Sequence, residues 1–431
     1  MTPVVAPAAI EPANRLRGRL ELPADKSIGH RALIVNGLSG GPATVTMRSP
    51  GLDVLSTAAC LRALGVSVDE ETDGVHIRFD VSGTPGVDAT LDCGNSGTTM
   101  RLLAGAVAAL PLRVTFDGDA SLRSRPMERV ASLLRAAGAR AVTTDGHAPM
   151  TVSGRRQLAP VTHRLPVASA QLLGAASLAA LGAQGETRIE TPAPTRDHTE
   201  RMLRAAGVDI RRDGLTTTVV GPARLEPLST TVPGDISSAA PWLVAGAMHP
   251  EAEITITGVG LNPTRTALIG VLRRMGAHIE MTVTEESGPE PIGDLRVRGG
   301  QPLSAVRIHA AEVASLIDEL PLLGVAMAAA DGTSELRDAG ELRVKESDRI
   351  AATVAGLRAI GAVAEELPDG WRVRRGQPRH AQITTHGDHR IAIAFAIAAA
   401  AGVASSVELD DAECVSVSYP GFWHDLATVR A

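Results

Sequence analysis

The apolar positions of this chain fall into six runs rich in alanine, glycine and leucine, each entered through a short polar or charged segment. Lys26-Ser27 opens Ile28–Leu38, Asn95-Ser96 opens Gly97–Leu110, and Ser169-Ala170-Gln171 opens Leu172–Leu181. Asp235-Ile236-Ser237-Ser238 opens Ala239–Met248, Asp318-Glu319 opens Leu320–Ala330, and Asp388-His389-Arg390 opens Ile391–Ala401. These runs predict helices that are buried and approach one another closely through small side chains. The steps from Ser27 through Ser96, Ser169, Ser237, Asp318 and His389 are 69, 73, 68, 81 and 71 residues.

A second, more amphipathic helix follows the same rhythm and closes on Leu-Arg-x-x-Gly: Leu61–Gly65, Leu134–Gly138, Leu203–Gly207, Leu272–Gly276 and Leu357–Gly361. The glycine is the expected residue just past a helix end, and the arginine suits a helix C-terminus. A sixth copy around Phe422-Trp423-His424-Asp425-Leu426 is cut short by the end of the sequence. Strand-like segments such as Val66-Ser67-Val68, Val208-Asp209-Ile210 and His278-Ile279-Glu280-Met281 follow these helices, and Ala252–Thr257 follows the fourth small-residue run.

A period of this length is too long for a solenoid and fits a small α/β unit of two helices and several strands. Six units fit two domains of three, with the crossover at Thr231-Val232-Pro233-Gly234. A chain of 431 residues also exceeds what one hydrophobic core usually supports.

Composition narrows the function. Four Phe, three Trp and one Tyr are too few for a nucleic-acid reader built on aromatic stacking, and a net charge of −6 disfavours nonspecific polyanion binding. Cys60, Cys93 and Cys414 are isolated and give neither a disulfide framework nor a zinc spacing, which suits a reducing cytoplasm. The segment Met1–Asn14 lacks a basic signal-peptide region, and the uncharged run Ile391–Val407 is short for a membrane span, so a soluble protein is expected.

The charged residues collect at the predicted helix starts. Lys26, Ser27 and Arg31 lie at the first, with Ser27 and Arg31 one turn apart. Asp92–Arg101 is a glycine- and hydroxyl-rich turn running into the second, with Asn95 or Ser96 as N-cap; free N–H groups at such an end attract anions. Taken alone, that stretch reads as an ordinary capped helix with a solvated arginine. Ser121–Met127, with Pro126 placed at the first helical position, Thr195–Thr199 and Arg343–Arg349 open further helices with more cations. Cations at a helix N-terminus oppose the macrodipole, so repeating that choice at Lys26 and Arg390 marks a site. His386-Gly387-Asp388-His389 has no matching cluster, so no metal is expected, and neither a P-loop nor a Rossmann fingerprint is present.

Lys26-Ser27-x-x-x-Arg31, Asn95–Arg101, Arg125-Pro126-Met127, Ser169-Ala170-Gln171, Lys345–Arg349 and Gly387–Arg390 together resemble the 5-enolpyruvylshikimate-3-phosphate synthase family along nearly the whole chain. The resemblance implies an α/β fold of two globular domains, each of three βαβαββ units: residues 23–233, and residues 1–22 plus 234–431, with the active site in the cleft between them. It implies transfer of the enolpyruvyl group of phosphoenolpyruvate to the 5-hydroxyl of 3-phosphoshikimate, with release of phosphate, by a cytoplasmic monomer that needs no cofactor.

Lys26, Ser27, Arg31, Ser169, Ala170, Gln171, Arg196, Asp318 and Lys345 are implied as 3-phosphoshikimate contacts, and Lys26, Gly97, Arg125, Gln171, Arg349 and Arg390 as the phosphoenolpyruvate pocket. Asp318 and Glu346 are implied as the proton-transferring carboxylates, with Lys26 beside them. Two departures stand out. Val417 occupies a place where many members carry Lys, and Leu102 one where others carry Pro. The alternatives are the sister transferase acting on UDP-N-acetylglucosamine, whose Lys-Asn pair and loop cysteine are missing here, and a silent sugar-phosphate binder, which would gain affinity by losing Asp318 and Glu346.

Overall fold

The computed structural model describes residues 9–286 and 288–430. They divide into two compact units: one holds Ala24–Pro233 and the short segment Glu286–Glu290, and the other holds the chain through Pro23, Gly234–Glu285 and the chain from Pro291 onward. Each has its own buried apolar core.

One repeat shows how the sequence pattern becomes structure. Strand Ala89–Asp92 leads through helix Gly97–Ala108 to strand Arg113–Asp117, which pairs with it in parallel. Helix Glu128–Ala136 then leads to the hairpin Arg140–Thr144 and His147–Ser153, whose return strand pairs antiparallel with Arg113–Asp117. The spatial order is therefore first, second, fourth, third, and five four-stranded sheets share it. A sixth sheet keeps only the parallel pair His380–Ile383 and Ser406–Leu409. Three βαβαββ repeats fall in each unit, the sixth lacking its final hairpin among the described residues. In each unit one first strand comes from a distant part of the chain: Thr230–Thr231 pairs with Gly40–Arg48, and Leu16–Glu21 pairs with Ala252–Gly260.

The Leu-Arg-x-x-Gly endings have a structural explanation. All five glycines have positive φ, from +87° at Gly207 to +104° at Gly276, which a side chain would strain. The arginine of each reaches the carbonyl six residues ahead and so fixes the entry of the next strand. Arg62 donates to Val68 at 2.7 Å, Arg135 to Ala141 at 2.9 Å, Arg204 to Ile210 at 3.1 Å, Arg273 to Ile279 at 2.7 Å and Arg358 to Ala364 at 2.8 Å. The sixth copy is the helix Phe422–Arg430, which packs on strand Leu16–Glu21.

Several helix starts differ from expectation. Pro126 is outside its helix, which begins at Glu128 with Met127 as cap. Of Arg343–Arg349, only Arg349 is α-helical; Gly340–Val344 forms a 3-10 turn and Lys345 is extended, because the Asp348 side chain caps Ala351 N and so sets the start. The second small-residue helix ends at Ala108, two residues early.

The small-residue helices pack without room for larger side chains. A Cβ on Gly105 would collide with the backbone of Ala175, in the neighbouring helix Ala170–Ala180. No described helix is long and apolar enough to cross a membrane. Gly105→Ala should lower the urea midpoint, by a stability loss of about 1–3 kcal/mol from forcing these helices apart. Gly270→Ala, at an exposed helical position where a Cβ meets nothing, should leave the midpoint unchanged or raise it.

Candidate functional site

The expected site residues occur in both units, and each set is built on helix starts. In the unit of residues 24–233, buried Asp25 caps the helix Lys26–Ser39, accepting from Ser27 N at 2.8 Å and Ile28 N at 3.1 Å. The cap holds Lys26 and Ser27 at the helix mouth. Arg31, one turn on, folds back so that Nη1 donates to Ser27 O at 2.8 Å, while Nε donates to Thr199 Oγ1 at 2.7 Å. Burial lowers the Arg31 pKa to about 10 against the pull of Glu200, and the group stays cationic at neutral pH. Lys26 Nζ lies 3.8 Å from Asp53. Thr199 belongs to the helix His198–Ala205, and Arg196 lies two residues before it.

A second cluster forms where the helices Gly97–Ala108 and Ala170–Ala180 begin, capped by Ser96 and Ser169. Gln171 bridges them, accepting from Arg101 Nη1 at 2.7 Å and donating to Thr98 Oγ1 at 3.0 Å. Arg125 donates to Asn95 Oδ1 at 2.5 Å. A Cβ on Gly97 would sit 2.5 Å from Arg101 Nη1 and 3.5 Å from Arg125 Nη1, so two guanidinium groups crowd the space beside the glycine. Burial first, then repulsion from Arg125 and Arg129, lowers the Arg101 pKa to about 10. Leu102 is fully buried and continues the helix. Thus Gly97, Arg125 and Gln171 are gathered together with Arg101, which carried no assigned role.

In the other unit, Arg349 is the centre. It is 1% exposed and meets three carboxylates: Asp388 through Nε at 2.8 Å, Glu346 through Nη2 at 2.7 Å and Asp318 through Nη1 at 3.7 Å. Burial alone would lower its pKa; Asp388, Glu346 and Asp318 outweigh that and raise it. Asp388, also fully buried, is held below the usual carboxylate range despite burial, because Arg349 and the Arg390 N–H favour its charged form. Ser347 donates a further bond to Asp388 at 2.9 Å. The Arg390 side chain turns elsewhere, to Glu319 at 3.7 Å. Glu319 also accepts from Ser237 Oγ at 2.6 Å, and Arg265 donates to both Ser237 and Asp235. The starts of three helices, at Ile236, Leu320 and His389, are thereby joined. Lys345 is half-buried beside Glu346, and Val417 is exposed at the end of a 3-10 turn, so that position supplies no cation.

Among the described residues, no group of three or more His, Cys, Asp or Glu could hold a metal ion.

Residues 10–426 match the family described as EPSP synthase (3-phosphoshikimate 1-carboxyvinyltransferase). The chain belongs to this family. A 3-phosphoshikimate 1-carboxyvinyltransferase of Roseiflexus sp. (strain RS-1) is 47% identical, with 98% of each chain covered. The structure of an EPSP synthase from Acinetobacter baumannii superposes with a TM-score of 0.88 at 37% identity over 97% of each chain. The enolpyruvyl transferase NikO from Streptomyces tendae shares the fold, with a TM-score of 0.77 at 19% identity, over 98% of this chain and 96% of that one.

Within this EPSP synthase family member, sequence reasoning placed Asp388 and Glu319 at helix starts without giving either a role, and passed over Arg265. Asp388 was within reach: it is a helix N-cap, like Asp25 and Asp235 at two other small-residue helices. Arg265 carried a signal as well. Pro263-Thr264-Arg265 stands seven residues before Leu272, as Pro194-Thr195-Arg196 stands before Leu203. Glu319 carried none, since only tertiary contact chooses it over Asp318.

Removing the central cation tests the electrostatics. Arg349→Gln leaves Asp388 as an unpaired buried charge and should cost about 3–5 kcal/mol at neutral pH. Asp388 has a depressed folded pKa in the parent, so the stability from this pair is present above the unfolded carboxylate pKa and lost as pH falls. In the variant that pKa is raised, and protonation relieves the penalty. Urea midpoints of parent and variant should therefore differ most near neutrality and converge on acidification; a pH-independent difference would contradict the pairing.

Proposed function

We propose that these helix-start clusters are the working parts of carboxyvinyl transfer. The chain is an enzyme that moves the enolpyruvyl (1-carboxyvinyl) group of phosphoenolpyruvate to the 5-hydroxyl of 3-phosphoshikimate and releases phosphate, a step of the shikimate pathway toward chorismate and the aromatic amino acids. The observation that carries the residue assignment is the sharing of one guanidinium by two carboxylates: Arg349 holds Asp318 on Nη1 and Glu346 on Nη2.

Both substrates are multiply charged anions, so binding them calls for cations whose positions are set in advance. Lys26, Ser27 and Arg31, with Ser169, Ala170, Gln171 and Arg196, take 3-phosphoshikimate, its phosphate lying at capped helix starts where free N–H groups add to the cations. Gly97, Arg125, Gln171, Lys26, Arg349 and Arg390 take phosphoenolpyruvate. Asp318 and Lys345 hold the ring hydroxyls, and Asp318 removes the proton of the 5-hydroxyl as its oxygen attacks C2 of phosphoenolpyruvate. Glu346 delivers a proton to the methylene carbon, giving a tetrahedral intermediate. Phosphate then leaves as a methyl proton is taken back, restoring the double bond. The cations, Lys26 among them, stabilise charge that builds on the departing phosphate.

The three partners of Arg349 are not equivalent. The Asp388 side chain is 0% exposed and structural, whereas that of Glu346 is 46% exposed and free to swing out. The carboxylate of phosphoenolpyruvate takes its place on the guanidinium, which releases Glu346 for proton transfer. The three cysteines are free and buried, which supports the cytoplasm as the compartment.

Asp318→Ala should leave calorimetric binding of 3-phosphoshikimate measurable, though weaker, and reduce turnover by about two to four orders of magnitude, the contribution of a general base. Undiminished turnover would refute its role.

A further inference from the structure

A chain of four buried polar side chains runs beneath the two helix starts of the 24–233 unit. His30, in the helix Lys26–Ser39, has Nδ1 2.7 Å from Thr57 Oγ1, in the helix Leu52–Ala63. Thr57 Oγ1 is 2.7 Å from Thr99 Oγ1, and Thr99 Oγ1 donates to Ser96 Oγ at 2.7 Å. Ser96 is the N-cap of the helix that begins at Gly97, accepting Thr99 N–H at 3.1 Å. All four side chains belong to residues no more than 1% exposed.

The last bond orients the rest. A hydroxyl has one proton to give. Thr99 gives its proton toward Ser96, so it must accept from Thr57; Thr57 has then spent its own proton and must accept from His30. His30 therefore carries a proton on Nδ1, and in the neutral ring its other nitrogen is a bare lone pair. Nε2 is indeed buried with no hydrogen-bond partner. A missing partner costs least there when no N–H is left unsatisfied. Burial, then the charges of Arg31 and Lys26, opposed by Asp25, hold the His30 pKa down to about 3, so the ring stays neutral in the working range.

We propose that His30 is a positioning residue: through Thr57 and Thr99 it fixes the Ser96 cap, and with it the Gly97 turn, relative to the helix that carries Lys26 and Arg31. The proposal rests on the assignment of Gly97 to phosphoenolpyruvate. The relay ties that turn to the 3-phosphoshikimate helix through bonds that exclude water, so neither helix start can shift without breaking a buried bond. The Asp53 carbonyl, 3.3 Å from Thr99 Oγ1, is a second acceptor for the same Thr99 proton, so whichever of the two takes it Thr99 still accepts from Thr57.

The test compares KM for the two substrates in Thr57→Val, His30→Leu and His30→Asn. Thr57→Val breaks the relay at one hydroxyl and should raise KM for phosphoenolpyruvate about three- to tenfold, the factor that losing one neutral hydrogen bond corresponds to. KM for 3-phosphoshikimate should stay within about twofold, because Lys26, Ser27 and Arg31 keep their own cap. His30→Leu should match Thr57→Val, and His30→Asn, whose amide nitrogen can replace Nδ1–H, should restore the parent value. Equal changes in both KM values, or an Asn variant as impaired as the Leu variant, would overturn the proposal.

Should His30→Leu fail to fold, Thr57→Val still decides the matter. Nitrogen-15 spectra of histidine-labelled parent, with His30 assigned by its loss in the Asn variant, should show protonated Nδ1 and bare Nε2; the opposite tautomer would refute the relay's direction. Gly97→Ala, measured in parallel, separates the two levels. If it raises KM for phosphoenolpyruvate and Thr57→Val does not, the relay is wrong. If Gly97→Ala changes nothing, the assignment of Gly97 falls and takes the relay's function with it.

Discussion

The close approach of small-residue helices is the constraint on which the rest of the structure depends. Alanine and glycine let helix backbones lie nearly in contact, as at Gly105 against Ala175. Glycine weakens an isolated helix by roughly 1 kcal/mol relative to alanine, so these helices gain their stability from tertiary burial. Packed side by side in repeated βαβαββ units, their N-termini gather within each unit. Ser96 and Ser169 then stand above one cluster joined by Gln171, and Asp235, Glu319 and Asp388 mark another. Helix ends rich in N–H donors, brought together beside cations, favour anions in general.

The cations are placed where water is scarce, and the protein offsets their burial in two ways. Arg31 and Arg101 are satisfied by neutral acceptors, a hydroxyl, carbonyls and an amide, which leaves their charge uncompensated at close range. Their pKa values fall to about 10, chiefly through burial, and both remain cationic at neutral pH. Arg349 is instead neutralised by carboxylates. The first arrangement suits anion binding, and the second suits chemistry in which carboxylates must sit near an anionic substrate without being driven away by it.

Much of the repeat architecture could be read from the sequence, because it is written in local signals repeated at near-equal steps: small-residue runs, Leu-Arg-x-x-Gly endings and positive-φ glycines. The family motifs lie in those same helix starts, which is why motif and repeat agree. What escaped was set by particular side-chain contacts, near or far along the chain, that no repeat of residue types specifies. The reach of Arg62, Arg135, Arg204, Arg273 and Arg358 to a carbonyl six residues on replaces a simple dipole role with a structural bond. Glu319 and Ser237 are 82 residues apart, and His30 meets Thr57 across 27; no periodicity announces either pair. Pro126 was misplaced because a proline suits a first helical position generally, while here Met127 N–H and Glu128 N–H both bond Gly146 O and hold the chain out of the helix until Glu128.

The central claim is that these clusters serve one transfer between two particular anions, and phosphate release measures it most directly. With 3-phosphoshikimate and phosphoenolpyruvate together, the protein should liberate inorganic phosphate at a rate that saturates in each substrate. It should release none with phosphoenolpyruvate alone or with UDP-N-acetylglucosamine as the acceptor. Release with the nucleotide sugar, or none with 3-phosphoshikimate, would contradict the account.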